Sequence, residues 1–178
     1  MTEKEFFNKV SNSKTDFLQE FINLLKKEKV TFCVIGGLGV NAYTEPVVTM
    51  DCDLVIAPSS VNKIIPEIKR HWEIKKFKHS VYVYSKKSDL RIQLQTAPEL
   101  QKCLKNATEK NVLGYKLPVA SIEDIFESKI ASALEPERRE SKRRKDQSDI
   151  LRMIEVKKRL LQLFPDELKK ELYPKEQK

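Results

Sequence analysis

Asp51 and Asp53 stand one residue apart in the run MDCDLVIA. In a strand, alternate residues share a face. Met50, Cys52, Leu54 and Ile56 then form one face and the two carboxylates the other. The carboxylates emerge about 7 Å apart, twice the ~3.3 Å rise per residue. Like charges at that spacing repel unless a cation sits between them. An all-oxygen pair suits Mg²⁺, which takes one or two carboxylates and fills its shell with water and phosphate oxygens. The bland alternative is a solvated polar strand face. Upstream, Gly36 and Gly37 end the apolar run VTFCVI, and a chain with four glycines puts three of them at 36, 37 and 39. A strand that stops at glycine and opens a helix presents backbone N–H groups with no β-carbon in the way, which is an anion site. Without a ligand, the same residues make only a tight turn.

Two further charges have suspicious positions. At about 100° per residue, Lys129 falls in the middle of the helical face built by Ile122, Ile125, Phe126, Ile130 and Ala133. Asp146 and Asp149 fall on or beside the face of Ile150, Met153, Leu160 and Leu161. A buried charge must be paired or hold a ligand. A Lys129–Asp146 ion pair between two helices is one reading, and a ligand lysine is the other. Arg138, Arg139, Lys142, Arg143, Arg144 and Lys145 form a cationic run. It is either a solvated linker or a phosphate-contacting patch for an RNA such as tRNA. His71 and His79 have no partner pattern.

The elements that must position these groups follow from periodicity and capping. SKTDFLQEFINLLKKEK reads as a helix opened by a Ser13–Asp16 capping box. VTFCVI and MDCDLVIA read as strands with a short helix, GLGVNAY, ending before Pro46. A helix capped by Ser59 or Ser60 runs to about Arg70. SVYVYS and DLRIQLQT read as a hairpin, Pro98 opens a helix, and GYKLPVA is an extended connector. SIEDIFESKIASAL is a helix with a second capping box, Ser121 to Asp124. DQSDILRMIEVKKRLLQLF is one long helix, Pro165 opens a short last one, and PKEQK frays. This order implies an α/β (α+β) fold: a mixed sheet flanked by helices over 1–118 and a helical part over 119–178.

Composition bounds the class. Of 178 residues, 40% are hydrophobic and 34% charged, a globular balance. No apolar run nears the roughly 20 residues that span a bilayer, and MTEKEFFNKV lacks the apolar core of a secretory signal. A cytoplasmic protein with no membrane partner is expected. The three cysteines have no CxxC spacing and read as buried reduced thiols. The net charge of +8 permits an anionic partner. Gly37 to Ala42 also fit the loose dinucleotide pattern G-x-G-x-x-A, but there the acid follows the second strand's apolar run, and here the acids precede it. No Gly-Lys-Ser/Thr follows the glycines, so a P-loop is excluded.

Gly-Gly, a short helix and a D-x-D strand resemble the signature of the DNA polymerase β-like nucleotidyltransferase superfamily. LPVASIEDIFESKIASAL with RRKDQSDILRMI resembles the closing segment of the AbiEii-type nucleotidyltransferases, toxins of type IV toxin–antitoxin systems. The resemblance covers roughly residues 30 to 155. It implies transfer of a nucleoside monophosphate from an NTP to a macromolecular acceptor, tRNA or protein, with a cognate antitoxin as a further partner. Asp51 and Asp53 would hold Mg²⁺, Gly36 and Gly37 the triphosphate, Lys129 a phosphate, and Asp146 the orientation of substrate or acceptor. Such proteins usually carry a third carboxylate on a neighbouring strand. Here the matching position, in LRIQLQ, is Gln93, with Asp89 only at the strand's start. A glutamine takes no proton, so the alternative is a non-catalytic relative that binds nucleotide or RNA and acts through a partner.

Overall fold

VTFCVI and MDCDLVIA do form strands, and they lie side by side. In the computed structural model, β1 (Phe32–Ile35) pairs antiparallel with β2 (Asp51–Ile56), placing Ile35 opposite Asp53 and Phe32 opposite Ile56. That pairing removes the dinucleotide-binding alternative, whose first two strands run parallel around a crossover helix. The structure describes residues 1–172, and the expected frayed tail PKEQK lies outside them. Two compact units are present, Met1–Ser121 and Ile122–Lys178.

The first unit holds α1 (Glu3–Val10), α2 (Phe17–Lys27), α3 (Gly36–Asn41) and α4 (Pro58–His71). Its remaining strands are β3 (Glu73–Lys76), β4 (Ser80–Tyr84), β5 (Arg91–Gln95), β6 (Thr108–Val112) and β7 (Tyr115–Val119). They make one seven-stranded mixed sheet of order β3-β4-β5-β2-β1-β7-β6. β2 pairs parallel with β5 and β1 with β7, while the other neighbours are antiparallel. One face of the sheet's outer half is apolar and buried, through Cys52, Leu54, Ile92, Leu94, Val81 and Val83. α2 buries Phe17, Leu18, Phe21, Ile22 and Leu25, and α4 buries Val61, Ile64, Ile65 and Ile68, each a stripe at helical spacing. Phe17 and Phe21 both lie 5.5 Å, centroid to centroid, from Trp72 at the end of α4. Cys33, Cys52 and Cys103 are buried and in no disulfide. Among the described residues no helix is long and apolar enough to cross a membrane.

Several local expectations change. The cap of α2 is Asp16, whose side chain accepts from Gln19 N–H, and Ser13 instead bonds Ser11 and Ser88. α4 starts at Pro58 after Ala57, with no side-chain cap, because proline at the first position has no N–H to satisfy. The segment after Pro98 is a 3₁₀ helix, Pro98–Leu104, rather than an α-helix. GYKLPVA is not a connector but β7, hairpinned to β6 through Leu113 and Gly114, both at positive φ (50° and 81°) as a two-residue I′-type turn needs. Pro118 disguised it, since proline weakens a strand reading. α1, with its Thr2–Glu5 capping box, and β3 had no expectation at all.

The second unit is helical: α5 (Ile122–Leu134), α6 (Glu140–Val156), a 3₁₀ segment Lys158–Leu163, and α7 (Asp166–Leu172). The expected long helix breaks at Lys157, and Lys142 to Lys145 of the cationic run lie in its first turns, while Arg138 and Arg139 precede it. Arg143 donates to Ala133 O at 2.6 Å and Glu135 O at 2.9 Å, satisfying carbonyls left open at the end of α5. At the other end of α5, Glu123 accepts from Lys157 and Arg159, each at 2.6 Å.

Those two cations, Lys157 first, hold the Glu123 carboxyl down to about 2 from its ordinary 4.5. A depressed carboxyl stabilises the fold above its unfolded pKa, and the contribution is lost as pH falls through the folded value. Glu123→Gln should therefore lower the melting temperature at pH 6 and 7, and the gap between variant and parent should close as pH falls from about 4.5 toward 2. Thermal melts followed by circular dichroism across that range check it; a gap that persists at the acid end would show that the pairs contribute nothing.

Candidate functional site

The D-x-D carboxylates lie on the face of β2 opposite Cys52 and Leu54, half-exposed where those two are buried. Gly36 explains how Asp53 fits. It sits at φ +65°, a conformation disfavoured for side-chain-bearing residues, and a β-carbon there would collide with Asp53 Oδ2. A β-carbon on Gly37 would lie 3.1 Å from Thr49 Oγ1. So both glycines have a packing reason, which comes from β2 itself at Gly36 and from the segment leading into it at Gly37. Asn41 pins that segment: its side chain donates to Val47 O at 2.8 Å and accepts from Val47 N–H at 3.0 Å. Thr49, buried, bridges to the backbone of Asp51.

Across β5, Asp51 pairs in register with Arg91 and Asp53 with Gln93. Arg91 Nη2 lies 2.7 Å from Asp51 Oδ1. Tyr82 stands beyond Gln93 on β4. Burial pushes its hydroxyl up, Asp53 and Asp51 add to the shift, and Arg91 opposes it, so the phenol keeps its proton near neutrality. Burial first, then Asp53 and Asp51, also push the Cys52 thiol up. It stays neutral and supplies no thiolate ligand. Among the described residues no group of three or more His, Cys, Asp or Glu is placed to hold a metal. Two carboxylates alone still fit a hard cation that arrives with phosphate and water oxygens, because their donors are all oxygen and half-open to solvent. Arg91, Asn41, Thr49 and Tyr82 were missed by sequence reasoning. Arg91 and Gln93 were traceable, since they alternate on the polar face of a strand that must neighbour β2.

In the second unit, Lys129 and Asp146 come together. Lys129 Nζ donates to Asp146 Oδ1 at 2.8 Å and lies 2.8 Å from Asp149 Oδ2, an ion-pair contact without hydrogen-bond geometry. Arg138 donates twice to Asp146 Oδ2, at 3.0 and 2.6 Å, and Arg152 donates to Asp149 Oδ1 at 2.8 Å. Burial pulls the lysine's pKa down, but Asp149 and Asp146 together outweigh it, and the net shift is upward. Of the cationic run, Arg138 and Arg143 are thus engaged within the unit, Arg144 pairs with Glu140 and Glu171, Lys142 and Lys145 are half-exposed, and Arg139 is exposed.

No protein-family model matches the sequence, and no curated protein is similar to it. Solved structures are similar in fold. The lincosamide antibiotic adenylyltransferase LnuA, lincomycin-bound, superposes with a TM-score of 0.58 at 17% identity, over 82% of this chain and 99% of its own. The antibiotic-resistance factor ANT(2'')-Ia gives 0.59 at 11% identity, over 89% of each chain. An antigenic nucleotidyltransferase-like protein from Paracoccidioides brasiliensis gives 0.55 at 18% identity, over 87% of this chain and 78% of its own. At these identities the likeness is one of fold, and the fold is that of nucleotidyltransferases.

Two variant sets test the geometry. Gly36→Ala should destabilise the protein by about 1–2 kcal/mol from backbone strain alone, and by more because Asp53 must move. Asp53→Ala in the same chain should restore part of the loss, a coupling that a double-mutant cycle in urea reads directly; strict additivity would show that the two do not share that space. Lys129→Met should cost about 3 kcal/mol, because it removes the cation shared by two buried carboxylates and leaves each with a single arginine. The raised lysine contributes stability below its ordinary pKa and loses it only as pH climbs through the higher folded value. Urea midpoints at pH 7 measure the loss, and an unchanged midpoint would show that the ammonium anchors nothing.

Proposed function

We propose that this chain is a Mg²⁺-dependent nucleotidyltransferase that moves a nucleoside monophosphate from an NTP to a macromolecular acceptor, tRNA or protein. The observation that carries the reading is the half-exposed Asp51–Asp53 pair, with Asp53 seated against the missing β-carbon of Gly36. The fold likeness supports it, since the similar structures include adenylyltransferases, one of them ANT(2'')-Ia in complex with adenylyl-2''-tobramycin. A role as the toxin of a toxin–antitoxin pair, with a cognate antitoxin, rests on the sequence resemblance alone.

In this mechanism Asp51 and Asp53 would hold a divalent metal that arrives with the triphosphate. When bound, that metal neutralises phosphate charge and orients the transferred group. Gly36 and Gly37 would meet the triphosphate with backbone N–H groups at the start of α3, the space beside their α-carbons being taken by Asp53 and Thr49. Arg91, already on Asp51, supplies a guanidinium able to follow a phosphate oxygen. Gln93, opposite Asp53, can orient an acceptor group through its amide but cannot remove its proton. That last feature favours the second reading, a non-catalytic protein of the same fold that binds nucleotide or RNA and acts through a partner. Lys129 and Asp146, each already paired, enter as the anchor of the helical unit; a phosphate role for Lys129 requires the ammonium to exchange a carboxylate for a ligand.

Calorimetry should show binding of MgATP or another MgNTP. Asp53→Ala should weaken it tenfold or more, about 1.4 kcal/mol, and EDTA should abolish it. Binding indifferent to both removes the metal site. Incubation with each labelled NTP, tRNA and cell extract then separates the readings. A labelled acceptor supports transfer, and nucleotide binding with no labelled product supports the non-catalytic protein.

A further inference from the structure

Register places two rows of side chains on the polar face of the sheet's outer half. One row runs Asp51, Arg91, Tyr84, Glu73, and the other Asp53, Gln93, Tyr82, Lys75. Tyr82 and Tyr84 lie nearly parallel, 14° apart in plane, with centroids 6.2 Å apart. Phe77, 51% exposed, meets Tyr82 edge-on at 5.3 Å, and Lys75 Nζ lies 5.2 Å from the centre of its ring. The Asp51 row leads into a cleft of about 490 Å³ lined by Lys69, Arg70, Trp72, Tyr84, Lys86 and Lys87 among others. Two acids, Glu20 and Glu73, also line it, and Glu73 is paired with Lys86 at 3.3 Å. The cleft's charge is therefore positive. Tyr84 belongs to both cleft and row, two strand spacings or about 10 Å from Asp51.

We propose that this face and its cleft bind a single-stranded nucleic acid, with bases on the Tyr82–Tyr84 shelf and phosphates at Lys69, Arg70, Lys86 and Lys87. Cations that follow a backbone beside aromatic rings that receive bases are the two parts such a site needs. An acidic peptide would satisfy the cations but leave the paired tyrosines and the exposed Phe77 without a purpose. A duplex, whose bases are already stacked on one another, could not use the shelf. That the bound strand is the acceptor of the transfer reaction rests on the reading above; that it binds does not.

The test uses the full chain in EDTA, which silences any metal-dependent nucleotide site. Trp72, the chain's one tryptophan, lines the cleft and reports occupancy. A labelled oligouridylate of about 12 nucleotides, within the span such sites cover, should raise anisotropy and quench Trp72. Its affinity should fall steeply with salt. Tyr82→Ala with Tyr84→Ala should weaken binding about tenfold or more, while the paired Tyr→Phe changes keep it. Lys86→Glu with Lys87→Glu should weaken it and flatten the salt dependence. Circular dichroism confirms that each variant is folded, and the Tyr→Phe pair keeps the test meaningful if the alanine pair is not. Asp53→Ala should bind the oligonucleotide at least as tightly as the parent while losing MgNTP, so failure here and failure of the metal site are separable. No binding at low salt overturns the proposal. So does equal binding of a duplex or of oligoglutamate, or indifference to the tyrosine changes.

Discussion

The carboxylate of Asp53 and the α-carbon of Gly36 share a volume that any side chain would fill. Much of the first unit is arranged around that contact. It requires β1 to end where it does, since Ile35 is the register partner of Asp53 and the chain must turn immediately afterwards. It requires a left-handed residue at that turn, which only glycine supplies cheaply. It also requires the segment between α3 and β2 to return tightly, which Asn41 and Thr49 secure through backbone bonds. A carboxylate held against bare backbone has its direction set before any ligand arrives.

The two units treat their acids in opposite ways. In the helical unit, Asp146 and Asp149 are enclosed, and three cations, Lys129, Arg138 and Arg152, close around them. Their desolvation is offset by charge–charge attraction inside the protein, and only Asp149 Oδ2, among the described residues, is buried without a hydrogen bond. On the sheet, Asp51 has Arg91 on one side and solvent on another, with side-chain exposures of 25% and 45%. That pair is weak enough to rearrange, because exposed ion pairs contribute little. The enclosed network reads as scaffold and the open pair as a place where a ligand can compete.

The strands that carry the D-x-D and the glycine turn were legible because a period of two and a glycine stop are local signals. The face of each carboxylate was legible for the same reason, and so was the inward position of Lys129 from the helical period. What escaped depends on pairing. β3, EIKK, has one apolar residue and joins the sheet only because β4 offers it a partner. β7 was hidden by Pro118, although it is an interior strand, parallel to β1 on one side and antiparallel to β6 on the other. The cationic run looked like a surface patch because sequence shows charges and not their carbonyl acceptors. Arg143 spends its guanidinium on the end of a helix that precedes it. The glycines were read as room for phosphate, whereas their nearest neighbours are side chains of the same chain.

The sheet's first and last strands have a consequence of a different kind. Among the described residues β3 and β6 each have a strand partner on one side only, so each carries a row of backbone donors and acceptors that another molecule's strand could join. Both are short and mostly charged or polar, EIKK and TEKNV, with Lys75, Lys76, Glu109 and Lys110 among their residues. An incoming strand would have to strip water from those charges without replacing it, so the borders repel the growth that their backbone invites. A sheet of this size thereby stays finite, and the chain is protected from self-association into ribbons while its interior strands remain as hydrophobic as the core demands.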